Sequence, residues 1–505
     1  MSKGKKSIVN AVVALLQLSV TSVLGLIFNR IILQSFGSTY NGINATITQI
    51  VNTIMIVEGG FTLASNVALF EPWLRKDEYI INGILAATQK RFAKIGWIAL
   101  GLGGGVAVLY PFAVNGIMPY WTTVGLILTV LLPMCYNLGV TTKYRVIFLT
   151  EQKEYIISII STVTYTLGIL VAIGVLRLFE CSLLVVRVII MISLFVNYIS
   201  LGLLCKYSYA FVSFKQKPLY EKIEGTKSVV VMKLTSIIYS SAPLITISLI
   251  PEKGAILASV YTVYSNIMSA ISGVLYAIIN APRLSFGALF SEKEEAYVAD
   301  AYAMYEMIML IGVTIILGTT ALMIMPFINI YTKGIEDANY YDVLLAVMLL
   351  GKYFVEIVHI PAGQMLLMSG NFEVSRKINI VACLVLMVVL LVGLYWGNIY
   401  VVVGAMLIAA IVLAVSEIYL TERIIVERNK TTFLKRIIPA VIIVLITCKI
   451  GMSNMVKCNG YMDFLGMCVI CVVALSVVTF GVYYLLDKAC IRKIVNFMKN
   501  SMIKG

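Results

Sequence analysis

Phe28-Asn29-Arg30-Ile31-Ile32-Leu33-Gln34-Ser35-Phe36-Gly37-Ser38-Thr39-Tyr40-Asn41-Gly42 closes one long apolar run and opens the next. Arg30 lies inside the first run, where a charge is costly. A guanidinium at such a depth either faces a protein-lined cavity or extends its stem to the headgroups. The choice between these depends on the rest of the chain.

Apolar runs of 18 residues or more recur from end to end, which makes the chain a polytopic membrane protein. Only 13% of its 505 residues are charged, against roughly 25% in soluble domains. Hydropathy predicts fourteen spans, at about 8–33, 43–69, 92–114, 121–142, 155–179, 183–205, 229–250, 255–281, 304–328, 343–368, 378–396, 399–421, 437–455 and 463–486. The fold class is therefore all-α, with no soluble domain between spans. The net charge of +14 reflects basic residues flanking the spans, so membrane orientation explains it and nucleic acid is not implied. Of the 39 basic residues, only Arg177, Lys253, Lys333, Lys449 and Lys457 fall in loops of one side. That bias predicts cytoplasmic N- and C-termini. The nine cysteines are scattered, and Cys468-x-x-Cys471 lies within a span, where packing accounts for it.

The chain repeats itself. Ala68-Leu69-Phe70 matches Ala288-Leu289-Phe290, Pro111-Phe112 matches Pro326-Phe327, and Phe148–Glu154 matches Leu367–Glu373, at a nearly constant separation. Six spans per repeat give two parallel halves. The predicted organisation is 1–228 for spans 1–6, 229–436 for spans 7–12, and 437–505 for two additional spans and a basic tail.

Polar groups inside the spans point to function. Asn44, Thr48 and Asn52 lie on one face of span 2, with Gln49 and Thr53 beside them; Tyr261, Ser265, Ser269, Ser272 and Tyr276 lie along one face of span 8. Such faces either line a cavity or join helices by hydrogen bonds. The basic residues within spans that stand out are Arg30, Arg187, Lys233 and Lys352. The acidic ones are Glu58, Glu356 and, near an end, Glu417. Lys352, Glu356 and His359 share one face of span 10, where the first two can neutralise each other. Arg187 stands near the outer end of span 6, within reach of the headgroups. Glu58 must be protonated, hold a cation, or pair with Arg30 or Lys233.

The buried set is cationic overall, so the cavity it lines attracts anions. A phosphate-bearing molecule with a polar body fits both the charges and the hydroxyl and amide stripes. Arg30, Lys233, Lys352, Arg187, Asn52, Tyr261 and Tyr276 are the candidate substrate contacts. Glu58, Glu356 and His359 are the candidates for coupling to H+ or Na+. No Walker-type loop, Ser-His-Asp array or histidine metal set is present, so the reading is a transporter without catalytic residues, metal or cofactor.

Arg30-x5-Phe36-Gly37-x2-Tyr40-x-Gly42 and Glu58-Gly59-Gly60-Phe61 resemble motifs of the bacterial polysaccharide flippases, as do the Phe148–Glu154 loop, its repeat, and Pro326-Phe327 followed by Tyr331-Thr332. These flippases belong to the multidrug/oligosaccharidyl-lipid/polysaccharide exporter superfamily. The resemblance implies two six-helix lobes in a V, with spans 1, 2, 7 and 8 lining a central cavity. It implies transfer of undecaprenyl-diphosphate-linked oligosaccharide repeat units across the bacterial cell membrane, for capsule, exopolysaccharide or O-antigen. It also implies glycosyltransferases and a glycan polymerase as partners in the pathway. Three rivals are a cation-coupled drug exporter of the same superfamily, a lipid II flippase, and a polytopic glycan polymerase or ligase. The cationic buried set argues against the first, and the short outer loops against the last.

Overall fold

The structure, a computed structural model, describes residues 3–54, 58, 61–114, 116–223, 227–280, 295–426, 431–453 and 456–504. Gly59, Gly60 and the repeat match at Ala288-Leu289-Phe290 lie outside these residues. The described chain forms α1 (Lys3–Ile54), α2 (Phe61–Arg75), α3 (Glu78–Ala113), α4 (Tyr120–Tyr136), a π turn (Asn137–Thr141), α5 (Thr142–Thr150), α6 (Glu154–Leu178), α7 (Leu183–Ser208), α8 (Lys227–Ser248) and α9 (Gly254–Asn280). It continues with α10 (Glu295–Tyr331), α11 (Val343–Val358), α12 (Ile360–Met368), α13 (Phe372–Trp396), α14 (Ile399–Ile424), α15 (Thr431–Met452), α16 (Tyr461–Leu486) and α17 (Lys488–Lys504).

Among the described residues, twelve helical stretches are long and apolar enough to cross a membrane. The first, Val9–Ile54, bends at Gly37 and covers the first predicted span and the first part of the second. Helix α15, a 22-residue helix outside those twelve, covers the thirteenth. All fourteen predicted spans thus have a helix, and the chain is an all-α, multi-pass membrane fold. Large apolar side chains such as Trp97, Leu178, Tyr395 and Val477 stand on its outside, as a lipid-facing surface requires.

Local chemistry sets the ends. Asp77 caps α3 by accepting from the Ile80 amide at 3.0 Å, and Asp342 caps α11 by accepting from the Leu345 amide at 2.9 Å. The Asp77 cap starts α3 at Glu78 rather than at 92, so the helix runs 36 residues, well beyond the roughly 30 Å apolar core. Gly37 takes φ 80° and ψ 174°, a conformation open to glycine and strained for other residues. It turns α1 from span 1 into span 2.

Within the predicted span 43–69, α1 is described to Ile54 and α2 from Phe61, and residues 55–57 and 59–60 lie outside the described residues. Glu58 lies between them in the chain.

The repeat is visible in backbone hydrogen bonds. Where α5 ends, Lys153 N donates to Phe148 O at 2.8 Å and Gln152 N to Leu149 O at 3.0 Å; where α12 ends, Asn371 N donates to Leu366 O at 3.0 Å and Gly370 N to Leu367 O at 3.2 Å. Gln152 and Gly370 both have positive φ, so each end is a Schellman cap. The caps pair Phe148 with Leu366, which shifts the sequence-derived register by one residue. In that register the π turn ending at Thr141 corresponds to the break between α11 and α12 at His359.

The chain divides into two compact units, Met1–Thr262 and Val263–Gly505. In the first unit, Ile43, Ile47, Val51 and Ile54 of α1 pack with Phe92 and Ile95 of α3 and Leu126 and Leu131 of α4. The apolar spacing of four residues puts the polar row Asn44, Thr48 and Asn52 about 100° around the same helix.

Candidate functional site

In the first unit the polar groups of α1 meet those of α7, α8 and α9. Gly42 permits the closest approach: a Cβ there would lie 1.7 Å from the Ala255 carbonyl oxygen. Next to it, Asn41 Nδ2 donates to Ser259 Oγ at 2.8 Å, and both residues are fully buried. The Tyr40-x-Gly42 motif therefore marks a helix crossing at which only a glycine fits. Nearer the cytoplasmic side predicted for span 2, the Arg187 guanidinium of α7 reaches across, with Nε on Asn44 Oδ1 and Nη2 on Thr48 Oγ1 at 2.8 Å. The Arg187 side chain is thus held on the polar stripe. Beside Thr48, Gln49 Nε2 donates to Ser241 Oγ of α8 at 2.8 Å. Asn52, beyond these, stays exposed, while Tyr261 on α9 is buried. Arg30 is half-buried on α1, seven residues before the bend.

Lys233 of α8 and Glu58 form the charged end of this stripe. Lys233 Nζ lies 2.9 Å from Glu58 Oε2, and Thr62 Oγ1 donates to Glu58 Oε1. The two partners differ in exposure: the Lys233 side chain is 38% exposed and that of Glu58 10%. The carboxylate is thus enclosed and doubly hydrogen-bonded, while the ammonium keeps part of its surface. Phe61, which follows the Glu58-Gly59-Gly60 motif, lies under the Arg91 guanidinium, 3.5 Å from ring centroid to Cζ. Arg91 escapes the hydropathy reading because it sits at the boundary of span 3.

A second polar region of this unit opens beside the π turn. A cavity of about 230 Å³ is lined by Gln17 and Thr21 of α1, Asn137 of the π turn, Arg145 of α5, and Asn197 and Tyr198 of α7. Asn197 Nδ2 donates to Thr164 Oγ1 at 2.9 Å and to Ser161 Oγ at 3.2 Å on α6. A π turn adds a residue to the helix and redirects the side chains that follow, and hydropathy carries no trace of it.

In the second unit, Lys352 is buried. Its Nζ lies 2.5 Å from Glu356 Oε2 and 4.0 Å from the centroid of the Tyr353 ring. The Tyr353 hydroxyl is 3.3 Å from Ser269 Oγ of α9. Tyr276, two turns further along α9, lies within the electrostatic reach of Glu356. The predicted pair thus forms, and part of the span 8 stripe faces it.

His359 departs from that face. It ends α11, and its Nδ1 lies 2.7 Å from Glu417 Oε2 of α14. Both side chains are 8% exposed.

One intramembrane carboxylate is absent from the sequence reading. Glu306, buried near the start of α10, receives Arg436 Nη1 of α15 at 2.8 Å, while Arg436 Nη2 reaches Asp487 at 2.6 Å. Glu306 sits at the edge of a span, where a charge raises no signal by itself.

No protein-family profile and no characterised protein matches the sequence. The fold does match solved structures. The chain is similar to the lipid II flippase MurJ in an inward closed conformation, with a TM-score of 0.67 at 13% identity over 94% of this chain and 99% of that one. It is similar to an inward-facing multidrug resistance MATE family transporter of the MOP superfamily, with a TM-score of 0.58 at 12% identity over 86% of this chain and 98% of that one. A MOP superfamily transporter from Pyrococcus furiosus, described as having a binding pocket of reversed polarity, gives a TM-score of 0.54 at 14% identity over 84% of this chain and 97% of that one. The chain has the fold of these transporters. Pocket polarity differs among proteins of that fold, so the site rather than the fold carries the function.

Proposed function

We propose that the protein is a flippase that moves undecaprenyl-diphosphate-linked oligosaccharide repeat units across the bacterial cell membrane by alternating access. The observation that supports this reading above others is the Lys233–Glu58 pair, with its partly open ammonium and enclosed carboxylate. A drug-exporting cation site needs the reverse, an exposed carboxylate. A diphosphate approaching Lys233 competes with Glu58 for the ammonium. A proton or Na+ on Glu58 cancels its charge and leaves Lys233 to the anion. Cargo binding and ion binding are thereby linked at one pair of atoms, which is the differential affinity that alternating access requires. The amide and hydroxyl groups of Asn52, Gln49 and the serines of α8 offer the glycan hydrogen bonds. Arg30 lies on the same helix as Asn52, on the other side of the Gly37 bend, and supplies a second phosphate contact. Lys352 and Glu356 are neutralised by each other, so their part is a secondary one.

In this reading the protein is not an enzyme. Its termini face the cytoplasm, and it works between the glycosyltransferases that build the lipid-linked unit and the polymerase that consumes it. Lipid II is the second reading. It carries the same diphosphate, and the likeness to its flippase extends over more of this chain than the likeness to the multidrug transporter.

The test is reconstitution of the purified protein in liposomes carrying a fluorescent undecaprenyl-diphosphate oligosaccharide. Wild type should bring the inner-leaflet probe into reach of a membrane-impermeant quencher, and Lys233→Ala should lose this at least tenfold. Transfer of lipid II alone would support the second reading. Transfer of a cationic dye with neither lipid moving would overturn both.

A further inference from the structure

We propose that His359 and Glu417 form a proton-binding site in the second unit, distinct from the Glu58–Lys233 pair, with His359 Nε2 as the atom that takes the proton. An ionised carboxylate only accepts hydrogen bonds, so a neutral imidazole 2.7 Å from Glu417 must carry its hydrogen on Nδ1. That leaves a lone pair on Nε2. Nε2 is buried and has no hydrogen-bond partner among the described residues, although His359 is only 6% exposed. With Glu417 ionised and the imidazole neutral, the pair holds one net negative charge in an apolar interior, which is costly. One proton from water, added to the Nε2 lone pair, converts it to a neutral imidazolium–carboxylate pair.

The surroundings are shaped for this pair. Gly363 of α12 faces Glu417, and a Cβ there would fall 2.3 Å from Oε2. The carboxylate therefore occupies space that any other residue at 363 would fill. Thr421 Oγ1 of α14 donates to the Ala362 carbonyl at 2.9 Å, which fixes α12 against α14 on the same face. The elements packed here carry other ionisable groups. On α10, Glu306 binds Arg436; on α11, Lys352 binds Glu356; on α13, Arg376 and Lys377 bind Glu373, and Cys383 is a buried thiol. Helix α14 adds Tyr419, Glu422 and Arg423, and α12 contributes none. Among the described residues, Glu417 is the carboxylate within hydrogen-bond distance of the imidazole.

The repeat makes the pair more specific. His359 occupies the register position of Thr141, at the π turn of the first unit. There the corresponding helices enclose a cavity lined by amides, hydroxyls and the Arg145 guanidinium, with no carboxylate among its lining residues. Two equivalent irregularities thus carry different chemistry, and the second holds an imidazole beside a carboxylate. The proton binding stands on this geometry alone; its use in driving transport rests on the reading under Proposed function.

The chain contains one histidine, so biosynthetic labelling with ¹⁵N-histidine, using a purification tag free of that residue, yields a single imidazole. In nanodiscs between pH 5 and 9, the alkaline form should show a protonated Nδ1 and a bare Nε2, and acid should protonate Nε2. Glu417→Gln, which keeps the shape, should displace that transition by one pH unit or more. An alkaline form with its proton on Nε2, a ring that never titrates in this range, or a transition unmoved in Glu417→Gln would overturn the proposal. The wild-type spectra decide the first two points even if the variant does not fold. In the liposome assay His359→Gln should flatten the pH dependence of lipid transfer. Titration without any lipid transfer in wild type would leave the proton site standing and sink the flippase reading.

Discussion

Lys233 Nζ and Glu58 Oε2 stand 2.9 Å apart across 175 residues of sequence. Lys233 belongs to α8, and Glu58 lies in the chain between α1 and α2. Removing the carboxylate should free the ammonium for anions. Glu58→Gln is expected to bind a diphosphate-lipid headgroup more tightly than wild type, and Lys233→Ala more weakly, in titrations with a soluble diphosphate analogue. A double-mutant cycle on unfolding should give a coupling of about 0.5–3 kcal/mol; additivity would mean the contact carries no energy.

Gly42→Ala should destabilise the first unit. The new methyl would lie 1.7 Å from the Ala255 oxygen and 3.0 Å from the Ser259 nitrogen, both backbone atoms that cannot swing aside. A cost of about 1–3 kcal/mol is expected for such overpacking, read as a lower unfolding temperature in detergent. Gly101→Ala is the control: nothing lies within 4 Å of its Cβ position, so helix propensity predicts a neutral or stabilising change of up to about 1 kcal/mol.

Arg187→Lys should recover little of what Arg187→Ala loses. The guanidinium reaches Asn44 Oδ1 and Thr48 Oγ1 with two different nitrogens, and a single ammonium cannot span both. Each partly buried polar partner left unmet costs about 1–3 kcal/mol. Equal stability of the Arg187→Lys variant and wild type, measured by thermal unfolding, would show that charge alone suffices.

The Asp487 carboxyl, between α16 and α17, supplies a pH dependence. Burial acts to raise it, but the Cys490 amide and the Arg436 guanidinium outweigh this and hold it below the usual carboxylate value. A lowered carboxyl adds stability that is complete above the unfolded value, about 3.9. That stability fades as pH falls through the lower folded value. Wild type should therefore lose stability on acidification below about pH 4, and Asp487→Asn should lack that part of the loss in pH-resolved unfolding.

Individual residues show how much of this was legible in advance. Arg30, Lys233 and Lys352 stand out because a charge in an apolar run is rare, and a linear scan finds it. Glu306 is just as deeply committed to an ion pair, yet it lies at a span edge and passes unnoticed. Gly37 and Gly42 are readable as a motif, but their reasons differ: one permits a positive φ, the other a helix crossing. The repeat was readable too, though its register was settled only by the Schellman caps after Phe148 and Leu366. The π turn at Asn137–Thr141 was not, since it leaves the hydropathy pattern intact.

The sequence by itself determined that this chain crosses the membrane many times, in two related halves, with charged residues set inside its apolar runs. Those properties are sums over neighbouring residues, and the transfer of each span into lipid depends on little else. Only the tertiary structure decided which charge meets which: Lys233 takes Glu58, His359 takes Glu417 and Arg436 takes Glu306. Such pairing depends on which faces of separate helices come within about 3 Å of each other, and packing between distant segments sets that distance.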